Sequence, residues 1–568
     1  MRKLDAPMTQ GVNRYQQAIL RHFKERPDAV FCHQIGDGGE TTLTWQDLEA
    51  DCGAFAGAYR AAGLKDGDQV LIFLRHVPQL YGAFFGAMLT GLTPAFMPCS
   101  SPRQDPALYW RSHQALMAQI KPAAVVTDAA TLSEMRASGL SLAGAAMLLI
   151  ETLRPAPLEP HLVSEDSISL LQHSSGTTGL KKGVALSYSA IALQTESYAA
   201  AIALADDDVI VSWLPLYHDM GLIACLILPA YFATPVVHLD PFHWIGRPDT
   251  LFEHIVKRGG TLSWLPNFAF EHLAGTVARR ANTWDLSGMR AFINCSEPCK
   301  AATFDRFATA FAPAGVRLEQ LQCCYAMAET VFAVTQTGAR NPRARALPAR
   351  ITVDPASLER GRAPAPVPAG QGVELIETGS VIEGLNLTIH DEAGEVIDEG
   401  RIGEVGIAGR FLFSGYNRDP IRTAERLRGE VYFSRDLGFI RDGRLYVLGR
   451  MDDLIIINGR NLYAHEVEAQ VNGVPGLKPG RAVAVAWFDA RIGSETLVIM
   501  AERAPASARP DEAVRREVIG LVHSVFNVTP RAVELLEEGR LVKTSSGKIS
   551  RKENLARYIA AQASVPLS

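Results

Sequence analysis

Ten consecutive residues, Ser174-Ser-Gly-Thr-Thr-Gly-Leu-Lys-Lys-Gly183, hold three glycines, four hydroxyls and two lysines. Glycines let backbone N–H groups come close to phosphate oxygens, hydroxyls add further donors, and lysines add positive charge, so the segment suits a nucleotide triphosphate. Its spacing is not that of the G-x-x-x-x-G-K-[ST] loop of P-loop enzymes. A flexible Ser/Gly/Thr turn between strand and helix is the alternative, and the density of donors favours phosphate. Ser167-Ile-Ser-Leu-Leu-Gln-His173 reads as the strand that delivers the loop.

Five further segments carry acids, an aromatic or a lysine: Asn294-Cys-Ser-Glu-Pro298, Tyr325-Ala-Met-Ala-Glu329, Ser434-Arg-Asp-Leu-Gly438, Gly449-Arg-Met-Asp452 and Lys543-Thr-Ser-Ser-Gly-Lys548. Taken singly, each has a structural reading: a half-buried tyrosine at a strand end, a turn, solvated acids capping a turn, a flexible basic tail. Taken in order over nearly the whole chain, they resemble the adenylate-forming superfamily of acyl-CoA synthetases, nonribosomal-peptide adenylation domains and luciferases. The resemblance implies a role for each. Ser174, Ser175, Gly176, Thr177, Thr178, Gly179 and Lys182 would cradle the phosphates of ATP. Ser296, Glu297 and Pro298 would border the adenine, and Tyr325 would stack on it beside Ala326 and Met327. Glu329 would reach Mg2+ with help from Thr177, and Asp436 would accept from the ribose diol. Arg450 would contact ribose or the α-phosphate, Asp452 would be a hinge, and Lys548 would be the catalytic lysine. The chain departs from the family pattern at Lys181, where proline is usual, at Ala326, where glycine is usual, and at Ser434-Arg435, which replace Thr-Gly.

Three blocks outside these nucleotide motifs resemble the fatty acyl-AMP ligase branch in particular: Val211-Ser-Trp-Leu-Pro-Leu-Tyr-His-Asp-Met-Gly-Leu222, Asp240-Pro-Phe-His-Trp244 and Leu265-Pro-Asn-Phe-Ala-Phe270. His218, in the first, would lie beside the acyl pocket or be a satisfied structural histidine. Ile351 to Val373 falls where those ligases carry an insertion. The branch implies activation of a fatty acid to its adenylate, then transfer to the phosphopantetheine thiol of an acyl carrier protein. A fatty acyl-CoA ligase is the alternative within the enzymes, and a non-catalytic acyl-adenylate or nucleotide sensor is the alternative outside them.

The elements that must position these residues are legible in outline. At 568 residues the chain has room for three or four folding units. A net charge of −5 gives no basic field for nucleic acid or an anionic membrane. The eight cysteines lack metal-site spacing and are too sparse for a disulfide framework, which predicts a reducing compartment. The polar N-terminus offers no secretion signal, and the apolar run Leu222 to Val237 is broken by Pro229 and Pro235 and is too short to cross a bilayer, so a cytoplasmic protein is expected. From about residue 68, short β-branched runs alternate with longer helical stretches, predicting parallel sheets covered by helices. Asn341 to Gln371 reads as an inserted surface segment, and 385 to 450 as closely spaced strands joined by Gly and Asp turns. The expected fold is α/β: a large N-terminal domain over 1–450, with an insertion at about 341–378 and an antiparallel β subdomain at about 379–450, followed by a small mobile α/β domain over 451–568.

Overall fold

The computed structural model describes residues 13–99, 106–142, 144–174, 182–340, 347–457, 460–489, 494–505, 507–543 and 548–563. Apolar runs such as Ala124–Thr127 and Leu262–Leu265 are too short for helices and are buried at every residue, the pattern of interior parallel strands. Four short strands form an all-parallel sheet in the order Thr93–Phe96, Gln69–Phe73, Ala124–Thr127, Ala146–Leu149, the last of them half-buried at the sheet edge. Nine form a second sheet: Ser380–Val381, Ala333–Gln336, Leu321–Ala326, Ala291–Asn294, Leu262–Leu265, Ile210–Ser212, Val236–Leu239, Val30–Gly36 and Gly39–Thr44. Its central pairings are parallel and its two edges antiparallel. Helix Gln79–Leu89, apolar all round, is buried from Leu80 onward, as a helix covered on every side must be.

The run from Met220 is a buried helix, as the sequence predicts, but it winds as a π-helix over Met220–Ile227 before Leu228–Phe232 continues as α-helix. Pro229 explains the change, because it has no N–H to offer the carbonyl of Cys225 four residues back. His238 Nε2 takes that carbonyl instead, at 2.7 Å.

The predicted antiparallel region is a five-stranded sheet of Leu385–His390, Gly403–Gly409, Val431–Arg441, Leu427–Arg428 and Arg444–Arg450. Asp442 and Gly443, with φ of 53° and 66°, make the two-residue turn before its last strand. From Arg450 the chain crosses one 3-10 turn, Met451–Asp453, into the hairpin Leu454–Ile457/Arg460–Tyr463. Beyond it lie a sheet of Leu477–Asp489, Ser494–Arg503 and Ala532–Leu536, and helices Ala464–Asn472, Asp511–Phe526 and Arg551–Ala563. The mixed α/β architecture agrees with the expected fold class.

The inserted segment differs from expectation. It forms a hairpin, Arg350–Val353 with Val373–Ile376, and is more than a surface excursion. Val353, Leu358, Val373 and Leu375 are buried in one apolar cluster with Val514, Val518 and Val522 of helix Asp511–Phe526. Arg350 forks onto Asp305 with two contacts of 2.8 Å, so the hairpin also grips helix Ala301–Phe311. Its surroundings come from both sides of the 451–453 turn. Among the described residues no helix is long and apolar enough to cross a membrane.

Candidate active site

One group of the candidate residues follows the C-terminal ends of the parallel strands, where open α/β sheets place their crevices. Ser296, Glu297 and the exposed Pro298 follow strand Ala291–Asn294, and Met327 to Glu329 follow its neighbour Leu321–Ala326. His218 and Asp219 lie in the segment after Ile210–Ser212. Ser174 ends strand Ile168–Ser174, while Ser175, Gly176, Thr177, Thr178 and Gly179 lie outside the described residues. Lys182 begins the partner strand Lys182–Ser187.

Lys548 arrives from the far end of the chain. Its Nζ donates to the Ser296 carbonyl at 2.7 Å, and Ser296 presents that carbonyl with a left-handed φ of 69°. Desolvation pulls the ammonium below an ordinary lysine, while Glu297 and Asp219 pull the other way. Glu297 is held in turn by the Phe268 N–H at 2.9 Å. Burial would raise the Asp219 carboxyl, yet His218, 2.7 Å away, and Lys548 keep it below the usual range. His218 thus belongs to the group through Asp219, a residue to which the sequence reading gave no role.

A second cluster lies on the antiparallel sheet. The Tyr325 hydroxyl donates to Asp436 Oδ2 at 2.5 Å, and Arg450 Nε stands 3.7 Å from Asp436 Oδ1. Burial pushes the Asp436 carboxyl up against the pull of Arg450 and Tyr325. Asp436 and Arg450 face each other across paired strands, which fixes their spacing. Tyr325 pairs with Thr335 and Ala326 with Ala333, a register shift that skips Val334 on the partner strand.

Glu329 anchors a third cluster. It is buried in a 3-10 turn, Ala328–Thr330, and accepts from the Tyr416 hydroxyl at 2.7 Å. The turn closes through Val331 at φ 65°, a strained backbone for a β-branched residue, braced by Phe413 N–H on the Glu329 carbonyl at 2.8 Å. Lys182 Nζ sits 5.3 Å from the centre of the Tyr416 ring. Desolvation lowers the Lys182 ammonium and Glu329 opposes it. Arg450 links the clusters electrostatically: Asp436 and Glu329 raise its pKa, and its charge lowers Lys548 and Lys182. A buried carboxylate, Glu329, with Lys182 and Arg450 in electrostatic reach fits a polyphosphate with a divalent cation, and a carboxylate beside a tyrosine and an arginine fits a ribose.

Two ion pairs bear on the 451–453 turn, one bridging the chain on its two sides and one ending within it. Lys300 Nζ contacts Glu466 Oε1, which also lies 3.1 Å from His465 Nε2, and the lysine and glutamate are largely buried. Arg435 contacts both oxygens of Asp452. Lys300, Tyr416 and Asp219 are the residues the sequence reading passed over. Lys300 and Asp219 stand within or directly after motifs it quoted, which is the signal that could have found them.

The chain belongs to the AMP-binding enzyme family, whose model matches residues 19–417. Among curated relatives, the chain is 29% identical to the long-chain-fatty-acid–AMP ligase FadD32 of Mycolicibacterium smegmatis, covering 92% of this chain and 90% of that one. It is 26% identical to JamA of Moorena producens, a medium-chain-fatty-acid–[acyl-carrier-protein] ligase, over 95% and 93% of the two chains. A solved structure from a study of fatty acyl-adenylate ligases of E. coli and L. pneumophila superposes with a TM-score of 0.86 at 26% identity, covering 98% of this chain and all of that one.

Proposed function

We propose that the chain activates a fatty acid with ATP to an acyl-adenylate and then passes the acyl group to the phosphopantetheine thiol of an acyl carrier protein. The observation that carries this reading is that Lys548, brought from the C-terminal region, stands at the Ser296 carbonyl within electrostatic reach of Arg450, which faces Asp436 beside Tyr325. In the first step a carboxylate oxygen forms a bond to the α-phosphorus, the bond from that phosphorus to the β-bridging oxygen breaks, and pyrophosphate leaves with the electron pair. Two anions must meet, and Lys548 and Arg450 would offset their repulsion by standing ready at the site, so that catalysis is chiefly positioning and electrostatics. Asp436 would hold the ribose hydroxyls, Tyr325 would pack against the base, and Lys182 would bind phosphate oxygens. Glu329 would hold Mg2+, which supplies charge neutralisation on the phosphates.

In the second step the thiol sulfur attacks the acyl carbonyl and AMP departs. Lys548 would stand in the way of that thiol in the present orientation, so the part of the chain beyond the turn would rotate about Asp452. The insertion supports a carrier protein over free CoA, because its Pro355–Ser357 turn packs against helix Asp511–Phe526 while Arg350 holds Asp305. Such a brace restrains rotation, and a docked protein brings binding energy that free CoA lacks. The name of the JamA relative agrees with this acceptor. Acid-dependent pyrophosphate release across acetate, long-chain and aryl acids tests the first step. Thioester formation with a holo carrier protein against CoA tests the second, and acyl-CoA made as fast as adenylate would refute the carrier reading.

A further inference from the structure

We infer that Arg435 is a positioning residue that holds Asp452 in its present conformation and thereby slows departure of the terminal unit from the adenylating orientation. The inference rests on the turning role proposed for Asp452. Ser434, Arg435 and Asp436 form a bulge: Phe433 pairs with Gly406 and Leu437 with Glu404, so three residues face Val405 alone. Bulges beside sites re-aim side chains, and this one carries Asp436 on Tyr325 and Arg450 and Arg435 on Asp452. Polar contacts hold the bulge: Arg435 N–H on Glu404 Oε1 at 2.9 Å, Ser434 Oγ on the Val405 carbonyl at 2.8 Å, and Asp436 N–H on Ser434 Oγ at 3.0 Å.

At the bulge Arg435 has φ of 61°, a left-handed backbone that glycine adopts freely and a residue with Cβ adopts at a cost. Glycine would build the same bulge with less strain, so the arginine's contribution must come from its side chain. That side chain forks onto Asp452, with Nε 3.4 Å from Oδ2 and Nη2 on Oδ1. Asp452 is the middle residue of the single turn through which the chain leaves the five-stranded sheet. Rotation at Asp452 carries its carboxylate away from a guanidinium fixed to that sheet, so the pair breaks each time the unit turns. The two side chains are 42% and 38% exposed, which makes the contact weak and salt-screened, as a latch opened in every cycle must be.

The test compares the parent with Arg435→Gln, which keeps Cβ and the strained backbone but loses the charge, with Arg435→Gly, which also removes the strain, and with Arg435→Lys. Two quantities are measured: the single-turnover rate of acyl transfer from enzyme-formed adenylate to pantetheine, an uncharged thiol, divided by the adenylation rate; and hydrogen exchange of the amides from Met451 to Ile457. The Gln and Gly variants should raise the ratio about two- to fivefold and speed exchange by a similar factor, with Lys between them and the parent. High salt should raise the parent's ratio and leave the Gln variant's unchanged. If the Gln and Gly variants match the parent in exchange, the latch is overturned. If no enzyme transfers to pantetheine or to a holo carrier protein, the transfer reading fails, and exchange alone still decides the latch.

Discussion

Glu466→Gln keeps the shape of a side chain and removes a charge on which the present arrangement of the chain depends. Glu466 is buried on helix Ala464–Asn472 and faces Lys300, from the loop after strand Ala291–Asn294, with His465 beside it. Burial alone would raise its pKa, but Lys300 and His465 bring it to about 2 from 4.5. At 1.36 kcal/mol per pKa unit, that is about 3 kcal/mol of stability. The sign follows from the direction: the contribution is full above the unfolded value near 4.5 and is lost as pH falls toward 2. Because the partners lie on opposite sides of the 451–453 turn, the same energy favours the orientation that puts Lys548 at Ser296. About 3 kcal/mol is roughly a hundredfold in an equilibrium, so acid-dependent pyrophosphate exchange at neutral pH should fall by up to about that factor. Lys300→Met should do similar harm by leaving Glu466 buried without its lysine, and the double variant should be no worse than the poorer single one, since neither charge is then stranded. Losses that simply add, or a Glu466→Gln enzyme within twofold of the parent, would refute the reasoning. So would a stability gap between parent and Glu466→Gln that fails to narrow below pH 4.5.

Lys548→Ala should lower adenylation by about 10² to 10³, the loss expected for a charge contact made mainly in the transition state, and should affect transfer from preformed acyl-adenylate much less; near-parental hydroxamate formation would remove Lys548 from the mechanism. Glu297→Gln should move the alkaline limb of kcat/KM for adenylation to lower pH, because desolvation already holds Lys548 below an ordinary lysine and Glu297 opposes that shift; an unmoved limb would mean that Lys548 is not the titrating group. Asp452→Pro should leave adenylation largely intact and stop thioester formation, since proline fixes φ at the turning point; a parallel fall in both half-reactions would make Asp452 a folding residue instead.

Residues whose neighbours in sequence are also their neighbours in space were legible from the start. Ala124–Thr127 and Leu262–Leu265 read as interior strands because short, largely apolar runs rich in β-branched or aromatic residues recur between helical stretches, and Ser296 and Glu329 are legible because the contiguous motifs that hold them resemble those of a known family. Legibility failed where burial or pairing is supplied from far away. Lys300 finds Glu466 across 166 positions, and Tyr416 reaches Glu329 across 87. Val353 and Leu358 read as part of a surface segment because the helix that covers them begins at Asp511. The π-winding at Met220 was equally hidden, since it depends on His238 taking a carbonyl that Pro229 leaves free.

The strand order of the nine-stranded sheet sets a timetable for synthesis. Val30–Gly36 pairs on one side with Gly39–Thr44, which follows at once, but on its other side with Val236–Leu239, where Cys32 meets Val236. That partner is made 204 residues later, about 10 to 40 seconds at ribosomal rates of 5–20 residues per second. Through that interval the edge of Val-Phe-Cys-His-Gln-Ile-Gly, which carries Phe31, Cys32 and Ile35 of the later core, stands open outside the ribosome. The nascent chain must be shielded there by a chaperone or by its own transient contacts. Slowing translation between residues 44 and 236 should therefore lower the yield of soluble protein more than slowing it after residue 239.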